Sequence, residues 1–435
     1  MQNDGDIRSW INALPDPDEL PSSPPPKLKR KATQDQPPSP PATVRMDMDV
    51  TPTSKRQRRN SPDATPRLHR DGLQRSPTAP SVSDSNASSK QSRSSSPLKK
   101  QIMSLQLDDA GLELRPLTFE EPPNREAARL LSALRDIGSG LEFLPDDRRD
   151  EILDSPMVKG AEIRPWRFAF TSAARFETLP GRFPSPEEVA SVYKWAGNCS
   201  RFGHEEAGWN QEVHHRLLEA TLRSSEESIE SPFDFTSCTT ARLHRSWLPR
   251  SAGPKMVDFS IYLALGHKNA PSPRALKALC RRTATQSVNH TDFTRLQLRP
   301  IVLSIETKSP GQRLDTAEVQ MGIWHATQWS FLRSALLLAP GRTEAQADEA
   351  LSRLPLIPAV IVQGHKWLFV MSTREGPKTI FWTERQFGST QSILETYQTV
   401  MGLRQLTAWA EAVYLPWFKA EILTPLEADG DDENS

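Results

Sequence analysis

The chain has 435 residues, 36% of them hydrophobic and 38 of them proline, which is too little apolar material for a packed core along its whole length. Basic and acidic residues balance at 54 each, but residues 20–100 alone hold sixteen Lys/Arg against six Asp/Glu, so the neutral total conceals a basic arm suited to a polyanion or an import receptor. Cys199, Cys238 and Cys280 form no CxxC pair, which argues against zinc-finger spacing and a disulfide framework, and no run of eighteen apolar residues is present to span a membrane.

In chain order, the first stretch MQNDGDIRSWINALP lacks an apolar core long enough for a signal peptide. Ile7, Trp10, Ile11 and Leu14 fall on one face of a helical turn or two, either as a frayed terminus or as a docking motif. Residues 15–115 are rich in Pro, Ser, Thr, Lys and Arg and are expected to be disordered, since they cannot bury enough surface to offset their chain entropy. Two basic clusters stand in this arm, one with Lys29, Arg30 and Lys31, the other with Lys55, Arg56, Arg58 and Arg59. Clusters of this size suit a nuclear-import receptor and a nuclear location, or a solvated tail. Ser-Pro and Thr-Pro steps at Ser23, Ser39, Thr51, Ser61, Thr65, Ser76 and Ser96 offer proline-directed phosphorylation sites that would subtract positive charge.

The expected organisation is a disordered arm over 1–115, one α/β domain with a helical beginning over 116–425, and an acidic disordered tail over 426–435. Within the domain, Ala127, Leu130, Leu131, Leu134 and Ile137 have helical spacing. Ser185 before Pro186 reads as an N-cap with proline at the first helical position. A third helix covers 204–222, with Trp209, Val213, Leu217 and Ala220 on one face. Strands are expected at 233–243, 256–264 and 299–307, a helix at 315–334, strands at 357–363, 366–372 and 378–383, and a closing helix at 390–414. This order predicts an α/β fold with a mixed central sheet.

The chemistry-bearing residues gather on these elements. Glu306 and Lys308 lie two apart at the end of an apolar strand, so they face one side, and Thr307 between them is expected to point away. Asp258 lies in a second apolar strand, and Glu206 opens the helix before both. Two like-facing charges at a strand end are costly to bury without a purpose. Two or three carboxylates hold Mg²⁺ through oxygen, and a lysine beside an attacking water can orient it or neutralise developing charge.

The segments EEAGWNQEVHHRLL, KMVDFSIYL, SVNHTDF, LRPIVLSIETKSPG, AEVQMGIWHATQW and PAVIVQGHKWLF resemble the PD-(D/E)XK nuclease superfamily. More narrowly, they resemble a fungal group of uncharacterised proteins with such a domain. The resemblance covers roughly residues 120–420. It implies a restriction-endonuclease-like core of helix, three strands, helix and strand. It further implies Mg²⁺ or Mn²⁺ held by Asp258 and Glu306, with Glu206 completing the set, and Lys308 serving catalysis. Glu205 is a rival to Glu206. Val257 stands where the superfamily's name has proline. Gln320 corresponds to a glutamine that orients the water or the phosphate, or is a polar residue at the edge of a core helix. Trp324 and Trp329 are expected in the core rather than as stacking platforms, and no histidine is assigned as a ligand. Lys268, Arg274, Lys277, Arg281 and Arg282, in the insert between the second and third strands, could follow a phosphate backbone or be merely solvated. The implied function is a metal-dependent nuclease acting on nucleic acid, DNA before RNA, as a monomer or a homodimer. The alternative is a catalytically silent nuclease fold serving as a binding scaffold in the nucleus.

Overall fold

The computed structural model describes residues 97–159, 163–223, 231–267 and 270–427. The N-terminal patch, the two basic clusters and Lys268 lie outside the described residues. A seven-stranded mixed sheet forms the centre, in the order β1-β9-β8-β7-β6-β5-β4. Its strands are β1 (Leu112–Pro116), β4 (Phe233–Ser237), β5 (Phe259–Leu263), β6 (Ile301–Lys308), β7 (Ile357–Gln363), β8 (Lys366–Glu375) and β9 (Lys378–Ser389). β2 (Leu144–Pro145) and β3 (Phe170–Thr171) make a separate two-stranded ribbon.

The longer helices are α1 (Pro97–Leu107), α2 (Arg125–Gly138), α3 (Pro186–Arg201), α4 (residues 206–222), α5 (Pro273–Arg282), α6 (Leu314–Leu336), α7 (Glu344–Ser352) and α8 (Ile393–Trp409). Ser185 caps α3 as expected, in a reciprocal capping box with Glu188. Every residue of β6 is buried. That is the signature of a strand covered on both faces, and it explains the near-continuous apolar run. One core holds Leu303, Ile305, Val360 and Val362 with Trp209, Val213 and Leu217 of α4. A second core holds Ala359, Ile361, Val370 and Phe381 with Ala317, Met321 and Trp324 of α6. Trp324 and Trp329 are core residues, with indole N–H groups donating to the hydroxyls of Ser304 and Ser372, both at 2.9 Å.

The ordered domain begins earlier than expected. Residues 97–107 are helical and Leu112–Pro116 pairs in parallel with β9. The expectation of disorder up to residue 115 therefore fails for 97–115. Leu105 and Leu112 are buried, and Leu98 and Ile102 pack against the second core. A sparse apolar pattern is enough here because β9 and α6 supply the partners. Gly322 of α6 leaves the room: a Cβ there would come within 2.5 Å of Leu112 Cδ2. At the other end Leu426, assigned to the acidic tail, is buried in the first core, while 428–435 lie outside the described residues.

β4 stops at Ser237, six residues short of its expected end, and β5 starts at Phe259. Asp258 therefore precedes its strand rather than lying inside it. β6 extends through Lys308, which pairs with Gln363 of β7. α4 contains a π-turn at Asn210–His214, with the His215 N–H bonded to the Asn210 carbonyl.

Candidate active site

The C-terminal end of β6, the residue preceding β5 and the start of α4 converge. Antiparallel pairing of β5 with β6 sets Phe259 opposite Ile305. The Asp258 side chain, 7% exposed, then lies against the backbone of β6. Its Oδ2 accepts from the Thr307 N–H at 2.8 Å and from the Thr307 hydroxyl at 2.9 Å. Thr307 keeps the strand alternation, level with Val362 on the face opposite Glu306 and Ile361, and it joins the site because Asp258 reaches its N–H and hydroxyl from the edge of β6.

Glu306 is fully buried. Its Oε1 accepts from the Lys308 ammonium, and its Oε2 has no hydrogen-bond partner. Lys308 Nζ also donates to the Thr307 carbonyl at 2.7 Å and stands 3.6 Å from Glu206 Oε2. Burial pushes the Glu306 carboxyl far above the usual carboxylate range, and the charge of Asp258 adds to this. Burial works against the Lys308 ammonium, but Glu306, Glu206 and Asp258 around it hold it above its ordinary value. Burial also raises Glu206, against the pull of Lys308.

Glu206 therefore meets the lysine, while Glu205, its rival, is the exposed N-cap residue of the helix. Glu212 pairs with Arg216 at 2.9 Å, away from this set. Gln320 donates its amide to the Met256 carbonyl at 2.6 Å and so tethers the segment leading into Asp258.

Three participants escaped the sequence reading. The Asn210 carboxamide lies between Asp258 Oδ1, at 3.3 Å, and His214 Nδ1, at 2.9 Å. His214 Nε2 is 3.1 Å from the Gly364 carbonyl, and the Gly364 N–H donates to the Lys308 carbonyl at 2.9 Å. These contacts close a ring from Asp258 through α4 and the β7–β8 turn back to β6. His214 is wholly buried, stacked on Trp209 and met edge-on by Trp367, and burial pulls it down to about 4. Glu206, Asn210 and His214 are spaced i, i+4, i+8, and that polar stripe in an apolar helix is the signal that could have found them.

Among the described residues, no group of three or more His, Cys, Asp or Glu side chains is gathered tightly enough to hold a metal ion. Two carboxylates do fit a cation. Glu306 offers an unpartnered buried oxygen, and Asp258 Oδ1 has only the long Asn210 contact. A hard-oxygen set of one or two carboxylates, completed by water, suits a cation of the magnesium type.

A family model for the PD-(D/E)XK nuclease superfamily matches residues 155–415. The match spans more than half of the chain, and the chain belongs to that superfamily. Its members generally use divalent metals. The comparisons with curated proteins and with solved structures give no match.

Proposed function

We propose that the protein is a nuclease that hydrolyses phosphodiester bonds of nucleic acid, DNA before RNA, with Mg²⁺ or Mn²⁺. The observation that carries this reading is the unpartnered oxygen of buried Glu306 beside Asp258 and Lys308. Burying such a set is expensive unless a ligand uses it. When bound, the cation supplies Lewis acidity to the phosphoryl group and to the attacking water. Asp258 and Glu306 hold it. Thr307 fixes Asp258 through two hydrogen bonds. Lys308 orients the water and neutralises charge building on the phosphate, and Glu206 holds the ammonium from the helix side.

A cleavage assay on duplex, single-stranded and branched DNA and RNA tests this, run with Mg²⁺, Mn²⁺ or chelator. Metal-dependent cutting is expected, with losses of about 100-fold or more in Lys308→Ala and Asp258→Asn. Cutting that survives either substitution would remove these residues from catalysis.

A second reading rests on the closure of the site by its own lysine. Lys308 already occupies one oxygen of Glu306 and the Thr307 carbonyl. A silent fold that binds nucleic acid or protein as a scaffold would keep that arrangement permanently. Nucleic acid bound equally by wild type and both variants, and never cut, would establish it.

For the arm, we propose import into the nucleus through Lys29–Lys31 and Lys55–Arg59. Removing residues 20–96 from a tagged chain should abolish nuclear accumulation, and a deletion that still concentrates there refutes the role. A homodimer that cuts two strands remains part of the proposal, with sedimentation on duplex substrate as its check.

A further inference from the structure

A cavity opens at the end of the central sheet away from the candidate active site. β8 begins at Lys366, paired with Gln363, which itself pairs with Lys308. Arg374 lies eight residues further along β8, about 27 Å away at the rise of an antiparallel strand. There the end of β8, the last turns of α6 and the face of α7 enclose an open cavity of about 1130 Å³.

Two arginines on its wall share one carboxylate. Asp348 of α7 gives both its oxygens to Arg333 of α6, at 2.7 and 2.8 Å. Arg374 meets the same carboxylate at a single longer contact of 3.6 Å, with its side chain 16% exposed. The neighbouring acids are engaged elsewhere. Glu375 is held by Arg115 at 3.0 Å, and Glu344 reaches Arg333 at 3.4 Å from an exposed position. Burial pulls Arg374 below its ordinary value, and the charge of Arg333 adds to this against the help of Asp348. A guanidinium carries five N–H donors in a fixed fork, and Arg374 commits little of that fork to the protein. Placing a cation in a cavity with so weak a partner is costly unless an anion completes the arrangement.

The remaining wall says which anion. Ser330, Arg333 and Ser334 are spaced i, i+3, i+4, so two hydroxyls share the α6 face with the arginine, and all three line the cavity. Two guanidinium groups and two hydroxyls offer more donors than the two oxygens of a carboxylate can accept. They suit the three terminal oxygens of a phosphate monoester. The other part of the wall is apolar, with Trp247, Leu351 and Leu354. Trp247 is fixed edge-on against Phe331, with ring centroids 5.0 Å apart. A flat aromatic body packs on such a wall where a bare sugar would not, and the cavity has room for a ligand of that size.

We propose that this cavity binds a nucleoside monophosphate, with Arg374 and Arg333 on the phosphate and Trp247 against the base. The inference is independent of the nuclease reading, because it uses none of the residues around Glu306.

The test is titration calorimetry on the full chain with deoxyadenosine monophosphate, deoxyadenosine and inorganic phosphate. Chelator is present throughout, which keeps any cation away from Asp258 and Glu306. The nucleotide should bind about tenfold or more tightly than either of its parts. Arg374→Gln should lower its affinity about tenfold or more at an unchanged melting temperature, since Arg374 has only a long ion pair to lose. Arg374→Lys keeps the charge without the fork and should fall between the two. Should Arg374→Gln fail to fold, Arg374→Lys makes the same comparison. Absence of nucleotide binding overturns the proposal, as does deoxyadenosine or inorganic phosphate binding as tightly as the nucleotide, or wild-type affinity in the folded variants.

Discussion

Glu306 has no exposure to water, one oxygen on an ammonium and the other on nothing. Burial raises it to about 8 from an ordinary value near 4.5. In the metal-free protein the folded state therefore keeps a proton that the unfolded chain has released. That contribution to stability is complete below about pH 4.5 and is lost as the pH rises to about 8. Glu306→Gln cannot ionise, so its melting temperature should gain on the wild type across this window, and added Mn²⁺ should narrow the gap. A gap independent of pH would mean that Glu306 ionises as easily folded as unfolded. Thr307 makes the second test at this scale. Thr307→Val keeps the shape and removes one of the two donors to Asp258 Oδ2. Denaturant titration should show a loss of about 1–2 kcal/mol, the usual consequence of leaving a buried acceptor short of a donor. A neutral substitution would show that the backbone N–H suffices.

Among elements, the β7–β8 turn is tightly constrained at Gly364. Gly364→Ala meets both a positive φ and Pro310, and should cost about 1–2 kcal/mol by the backbone term alone. Because Gly364 N–H also holds the Lys308 carbonyl, Mn²⁺ affinity should fall with it. An unchanged melting curve would rule out strain there. α1 supplies a different contrast. Deleting residues 20–96 should leave the melting temperature nearly unchanged, whereas deleting 20–107 takes Leu98, Ile102 and Leu105 out of the second core and should lower it by several degrees. Equal melting of the two deletions would show that α1 adds nothing to the core.

These elements also mark what the sequence disclosed. β6 and α6 were legible because an unbroken apolar run and a helical stripe are local patterns, and Glu306 and Lys308 because i, i+2 spacing needs only one strand. α1 and β1 were hidden because their apolar residues are few and the partner of Leu112 is Thr379, far along the chain. His214 and Gly364 were hidden for the same reason, since each matters only through a contact from another element. Thr307 keeps its place in the strand alternation, and its tie to Asp258 was hidden because it comes from another element.

At the scale of the molecule, three histidines among the described residues lie buried, His214 in α4, His325 in α6 and His290 in the loop before β6. Burial takes His214 to about 4 and His290 and His325 to about 3, against an ordinary value near 6.5. The folded state refuses protons that the unfolded chain accepts. The stability this gives is complete above about pH 6.5 and is lost as the pH falls towards 3. The melting temperature should therefore drop steeply on acidification, with protons taken up on unfolding. His290 makes no side-chain hydrogen bond through Nε2 and packs edge-on against Trp324. His290→Phe should keep that packing and flatten the acid slope by about one proton. A slope as steep as the wild type would mean that His290 already binds its proton when folded.

The sheet ends on both sides in a five-residue strand. β1 closes with Pro116 and carries Glu113 and Arg115, and β4 carries Asp234, which is held by Arg223 and Tyr262. Short, charged or proline-ended borders of this kind resist lateral growth of a sheet by another chain. Two copies acting together on a duplex would therefore meet through helices and loops, and the protein should stay free of ribbon-like self-association even when concentrated.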